Sequence, residues 1–443
     1  MVPPVVATAT SRRRVWCLAR RRDWVTRGGN VTEGGISTRQ ESAESDSVVR
    51  SARFRRVLAA NTTTMVGSAA APVALAFAAL GTGGGVTALG VVLALNAVPS
   101  ILFLLYGGVL ADRVSRSALL VYGRAAAGTI QMVVATLVLS EHATTWSLGA
   151  LAFLSGSVSA LIRPASNAIF KQLVAASQLQ QANALNRLSS NIVRVTAPAA
   201  AGGTVALTSA GWVLVFDALT FYLSAALMHR VTLRATPRTG TTSPWEDLRE
   251  GWREVSARSW LVANMAFGAV IVMLWRVGFE LAGPALAATG YSGASSWGLM
   301  ESAFAVGLVL GGFVCLRWKP RRLAVVSTAT SGTLALPVLA LALHLPLAMV
   351  LSAAVITGVG LDIAIVTWST ALGQHIPDAV QGRVQSVNSI GELSVVPVGY
   401  AVVAAVGPHL SMYLIAGIAA AGIVTATACN LMIRSLWTIN RLA

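Results

Sequence analysis

The chain has 443 residues, of which 55% are hydrophobic and only 11% charged, and its mean hydropathy is +0.68. So few charges cannot cover a water-soluble protein of this length, while 40 glycines suit helices that pack closely in lipid. The formal net charge of +16 invites a nucleic-acid partner, but its placement argues against one: twelve arginines fall from Arg12 to Arg56, ahead of the first apolar segment, and most others sit in alternate loops.

Residues 1–50 are rich in Arg, Ser, Gly and Thr, hold no run long enough to span a bilayer and lack a signal-peptide core. They read as a disordered basic cytoplasmic leader, and a start downstream of Met1 is open. Twelve apolar segments follow, at 57–80, 86–110, 118–139, 146–165, 183–208, 211–230, 259–282, 295–316, 323–342, 346–371, 384–407 and 410–433. Each has about the 20 residues needed to cross a hydrocarbon core as a helix. Helix is the state expected, because lipid leaves no partner for an open sheet edge and these runs are too long and apolar for barrel strands. The resulting organisation is an N-terminal six-helix bundle at 51–230, a linker at 231–258 and a C-terminal six-helix bundle at 259–443.

The loops after the odd-numbered segments contain no Lys or Arg, and their titratable groups are Glu141, His142, His344 and His409. The opposite loops carry the arginines and lysines, so both termini and the linker are expected in the cytoplasm, in a multi-pass cell-membrane protein. Within the linker, Trp245, Leu248, Trp252 and Val255 share one helical face, predicting an amphipathic helix on the inner membrane surface. Cys17, Cys315 and Cys429 suggest neither a disulfide framework nor a zinc site. The only lysines, Lys171 and Lys319, follow Phe and Trp, so no phosphate loop is present. No cofactor, metal or enzymatic chemistry is expected.

Ionisable groups inside spans are costly and therefore functional candidates. Arg276 and Glu280 are four apart in the seventh segment and can pair, either as a fixed packing pair or as part of a working cluster. Glu301, Glu392 and Asp362 are the candidates for a carboxylate that gains and loses a proton. Asn61, Thr64, Asn96, Gln131, Arg194 and Trp368 lie within spans and are candidates for lining a substrate passage near the midplane.

Between the second and third segments stands Gly108-Val109-Leu110-Ala111-Asp112-Arg113-Val114-Ser115-Arg116-Ser117. This resembles the loop signature of the major facilitator superfamily, with Ser117 departing from its last basic position. A degenerate copy, Gly312 to Arg322, lies about 200 residues later with Leu316 in place of the acid. The resemblance implies an all-α membrane protein with the major facilitator fold, twelve transmembrane helices in two six-helix bundles. It also implies a latch in which Asp112 docks at the start of the eleventh span, beside Arg383, and pairs with Arg163. A merely topogenic turn, in which Arg113 and Arg116 only hold the loop inside, is the alternative.

Arg163-Pro164-Ala165, Gln181-Ala182-Asn183-Ala184-Leu185, Pro198 with Gly202-Gly203, Phe216-Asp217-Ala218-Leu219-Thr220-Phe221 and Gly382-Arg383-Val384 together resemble macrolide-efflux and enterobactin-exporter-like permeases. That branch implies proton-coupled export of a small lipophilic or amphipathic compound such as a drug, antibiotic or siderophore. Its partners would be the substrate, protons and membrane lipid, with the chain a monomer. A non-transporting membrane sensor or scaffold, and a facilitator-type transporter of another substrate such as a lipid, remain the alternatives.

Overall fold

The computed structural model describes residue 48 and residues 51–113, 116–231 and 244–442. Twelve long helices and one short one follow each other: α1 (Ala52–Leu80), α2 (Gly85–Arg113), α3 (Arg116–Leu139), α4 (Thr145–Leu173), α5 (Leu179–Leu207), α6 (Ala210–His229), the linker helix α7 (Pro244–Ser256), α8 (Ser259–Gly290), α9 (Ala294–Arg317), α10 (Leu323–Ala342), α11 (Leu347–His375), α12 (Asp378–Val406) and α13 (Met412–Leu431). Among the described residues, eleven of these are long and apolar enough to cross a membrane. The exceptions are the short α7 and α5, which carries Gln180, Gln181, Asn183, Asn186, Arg187, Asn191 and Arg194 between its start and its middle. Its polarity is tolerable only where a span faces protein or a water-filled space.

Local chemistry sets several ends. Thr144 and Ser147 form a reciprocal capping box at α4, with the Ser147 N–H donating to Thr144 Oγ1 over 3.1 Å. Ser411 caps α13 by accepting from the Leu414 N–H at 3.2 Å. The turn into α9 places Gly293 at φ +64°, a conformation that costs a side chain more than glycine.

The two halves repeat each other in their polar interiors. In the first, Arg124 on α3 donates to Asn61 on α1 at 2.5 Å and to Ser224 on α6 at 2.8 Å. In the second, Asn430 on α13 donates to Thr328 on α10 at 2.9 Å, and both bond Asn264 on α8. The first, third and sixth spans of each half therefore meet through a buried polar trio, as expected of duplicated bundles.

Hydrophobic packing differs between the two ends of the molecule. At the end away from α7, one core runs through both halves, joining Val73, Leu89 and Leu214 to Phe279, Trp297 and Tyr400. At the linker end the core divides. One cluster, including Phe54, Leu120 and Ile169, belongs to the first half; the other, including Leu261, Leu323 and Val384, belongs to the second. The linker helix joins the second: Val255 is buried and Leu248 half-buried against that half, while Trp252 is 58% exposed. Glu250 pairs with Arg383 at the start of α12, at 3.0 Å. The Trp245 side chain lies outside the described ones.

Candidate central cavity and its seams

The pairs α2–α12 and α5–α9 join the halves most closely at the closed end. Gly90 on α2 faces α12, where an added Cβ would stand 2.9 Å from Ala404 Cβ and 3.2 Å from the Tyr400 carbonyl oxygen. On the α5–α9 pair, Gly202 and Gly298 meet backbone to backbone. A Cβ at Gly202 would lie 3.1 Å from the Ala294 carbonyl carbon, and one at Gly298 would lie 3.0 Å from that of Pro198. Small residues here let two helices approach at backbone distance. Pro198 lacks an N–H and disturbs the ladder around it, and the next N–H, of Ala199, donates across the seam to Ser302 Oγ at 3.0 Å.

Below this seam, toward the linker end, the helices diverge around a cavity of about 820 Å³. Its roof is aromatic: Trp275 stacks on Phe279 with ring centroids 4.3 Å apart, and Phe304 lies 5.3 Å from Trp275. The roof coincides with one turn of π-helix, Arg276–Leu281, inside α8. Such wide turns recur at functional sites because they re-aim side chains. Arg276 and Glu280 pair within it, and Tyr400 on α12 donates to Glu280 Oε2 at 3.2 Å.

The sequence-nominated residues divide clearly. Arg194, Asp362, Trp368, Glu392, Arg276 and Glu280 all line the cavity. Glu392 accepts a hydrogen bond from Asn388 at 2.9 Å. Glu301 is not in the lining; it lies within electrostatic reach of Glu280 and Arg276. Asn61 is engaged by Arg124, Gln131 is buried in the first half, Thr64 bonds back to the Ala60 carbonyl at 3.1 Å, and Asn96 donates to the Ala152 carbonyl at 3.0 Å. None of these four is in the lining of the cavity.

The latch residues are only partly visible. The α2 backbone reaches Arg113 and that of α3 begins at Arg116, but the side chains of Gly108, Asp112, Arg113 and Arg116 lie outside the described ones. Arg163 is exposed at the linker end of α4.

Sequence reading missed Arg187 and Asn191, which line the cavity with Arg194. Their signal was available: positions 187, 191 and 194 follow the i, i+4, i+7 spacing of one helical face. It also missed Arg124, an arginine well inside the third segment that is 4% exposed. The arrangement can hold a small organic molecule between an aromatic roof and walls bearing both signs of charge. Among the described residues no group of His, Cys, Asp or Glu is arranged to hold a metal ion.

Comparison with known proteins agrees with this architecture. The nucleoside transporter NupG superposes with a TM-score of 0.69 at 11% identity, covering 86% of this chain and 99% of that one. A bacterial homologue of the iron transporter ferroportin, described in an inward-facing state, gives 0.65 at 17% identity, with 87% and 99% covered. A D-xylose–proton symporter gives 0.61 at 14% identity, with 87% and 97% covered. At these identities the likeness is one of fold. No match is found among curated proteins. The sequence profile described as Major Facilitator Superfamily matches residues 57–393, most of the chain, and the protein therefore belongs to that superfamily of membrane transporters.

Proposed function

We propose that this chain is a secondary active exporter of a small lipophilic or amphipathic compound, a drug, antibiotic or siderophore, driven by proton antiport through alternating access. The reading rests on one observation: the halves share a core at one end and part around a cavity with acidic groups in its wall at the other. An object built this way can be closed at either end in turn, which is what transport by alternating access requires. The arginine bias of the loops supports placing the open end, with both termini and α7, in the cytoplasm of a plasma-membrane protein.

Coupling needs a carboxylate that faces the cavity in one state and is sealed in the other. Glu392 and Asp362 stand in the wall, and Glu301 sits beside the Arg276–Glu280 pair; these three are the proposed proton carriers. Asp112, from the family signature, is proposed to latch the linker ends together in the opposite state, against the start of α12. The deciding experiment uses proteoliposomes and a panel of fluorescent amphipathic dyes. An imposed proton gradient should drive dye movement, and Glu392→Gln or Glu301→Gln should abolish the gradient dependence. Gradient dependence intact in both variants would remove the coupling assignment, and Asp112→Asn at wild-type turnover would remove the latch.

A further inference from the structure

A second, smaller space adjoins the central cavity. It measures about 490 Å³ and lies between the linker-end halves of α5 and α9. Asn191, Val309, Gly312 and Leu316 line both spaces, so the cleft lies directly beside the cavity. Its outer rim is apolar and strongly exposed: Leu188 58%, Ile192 56%, Phe313 57% and Leu316 73%. On a chain that spans a membrane, this rim faces hydrocarbon.

The two faces of α5 explain the geometry. Residues 187, 191 and 194 point a polar stripe into the cavity, and 188, 192 and 195 run an apolar stripe beside it along the cleft. The stripes are offset by one residue, about 100° around the helix. A molecule lying across α5 would therefore meet charge at one end and hydrocarbon at the other. The charges are balanced as well. Apart from the Arg276–Glu280 pair, the charged lining groups are Arg187 and Arg194 on α5, facing Asp362 on α11 and Glu392 on α12. Arg187 is an electrostatic neighbour of Asp362 across the boundary between the halves.

We infer that the cleft between α5 and α9 is a lateral portal through which a zwitterionic amphiphile enters from the adjoining leaflet, its tail between Ile192 and Phe313 and its head group between the α5 arginines and the opposing carboxylates. This rests on the export reading and narrows its substrate class. It also gives the degenerate second signature a role. Where the first copy carries Asp112, the second carries Leu316, and that leucine forms the rim of the portal. Gly312, one turn earlier, keeps the passage open: a Cβ there would meet only Asp362 Oδ2, at 3.7 Å.

The test uses the full chain in phosphatidylglycerol vesicles and three single-chain amphiphiles sharing one diazirine-bearing tail, with phosphocholine, carboxylate or trimethylammonium heads. After photolysis, peptide mapping reads attachment at Leu188, Ile192, Phe313 and Leu316 against the lipid-facing Ile418 and Val424 of α13. The phosphocholine probe should favour the portal by about tenfold, a difference of ~1.4 kcal/mol. The preference should vanish in Gly312→Leu, which plugs the cleft, and fall in Arg187→Gln/Arg194→Gln, whose exposed side chains leave the core untouched. Even labelling of portal and α13 would overturn the portal. Equal or better portal labelling by either singly charged probe would overturn the zwitterion. Labelling needs no gradient, so portal labelling without gradient-driven transport would sink the export reading alone, and the converse would sink the portal alone.

Discussion

The same two helices, α5 and α9, behave in opposite ways at their two ends. Away from the linker they touch at Gly202 and Gly298 with nothing between them; toward it they part around a cleft rimmed by Leu188, Ile192, Phe313 and Leu316. Both ends carry glycine on α9, yet a methyl group would collide with backbone at Gly298 and meet only one carboxylate oxygen at Gly312. Glycine thus does two jobs within fourteen residues of one helix: at 298 it permits contact, and at 312 it preserves a gap. The alternating access proposed for this chain needs both, since a seam that can close must have its small residues already in place.

The comparison breaks most visibly at the tight end. Gly298→Ala should destabilise the protein by about 3 kcal/mol, because the new Cβ would fall inside contact distance of the Pro198 carbonyl and 3.1 Å from Gly202 Cα, both rigid backbone. Thermal unfolding in mild detergent reads the loss. An unchanged transition would mean that α5 and α9 already slide past one another in the resting state.

A smaller effect is expected at the linker helix, which belongs to the loose end. Gly251 sits on α12, where a Cβ would meet the Arg383 carbonyl oxygen at 2.7 Å and Val387 Cγ2 at 3.1 Å. Gly251→Ala should therefore lift α7 from the second half at a cost of about 2 kcal/mol and speed proteolysis of the linker. Unaltered cleavage would show that α7 is not docked in solution. Smaller again is Ser302→Ala, which removes the acceptor for the Ala199 N–H and should cost about 1 kcal/mol. A shift below the error of the measurement would mean that water replaces Ser302 at the seam.

Much of the fold was legible because lipid imposes a length on every span. The segment predicted at 323–342 matches α10 to the residue, and 211–230 matches α6 within one. Errors gather where helices leave the hydrocarbon. The segment at 146–165 stops short of α4, which runs on to Leu173, and the one at 384–407 starts late against α12, which begins at Asp378. Polar residues at those ends keep the helix going while hydropathy falls. The seventh segment ends at 282, just before Gly283 and Pro284, although the chain stays helical to Gly290 through a π turn.

The site was less legible, for a different reason. Arg194, Asp362 and Glu392 stand out because charge in a span is rare, and they line the cavity; Asn61 and Gln131 stand out on polarity alone and lie inside the first half. Polarity tells that a group needs a partner, and only packing tells whether that partner is protein or passage. The linker face was half right in the same way. Spacings of three and four group Trp252 with Leu248 and Val255, but the helix turns Leu248, Gly251 and Val255 inward and leaves Trp252 out.

The smallest predicted effect is also the one that tests the comparison most directly, because it uses the same substitution at the other end of the same helix. Gly312→Ala removes the backbone freedom that glycine brings to the unfolded chain, a gain of about 0.5–1 kcal/mol in a helix interior. Nothing opposes it, since the added methyl meets Asp362 Oδ2 at ordinary contact distance. The variant should unfold slightly later than the parent, while Gly298→Ala unfolds much earlier. Helix propensity is common to both substitutions, so the difference in sign isolates the packing at the two ends. If Gly312→Ala were as damaging as Gly298→Ala, α5 and α9 would be in contact along their whole length, and the cleft would be closed in the resting protein.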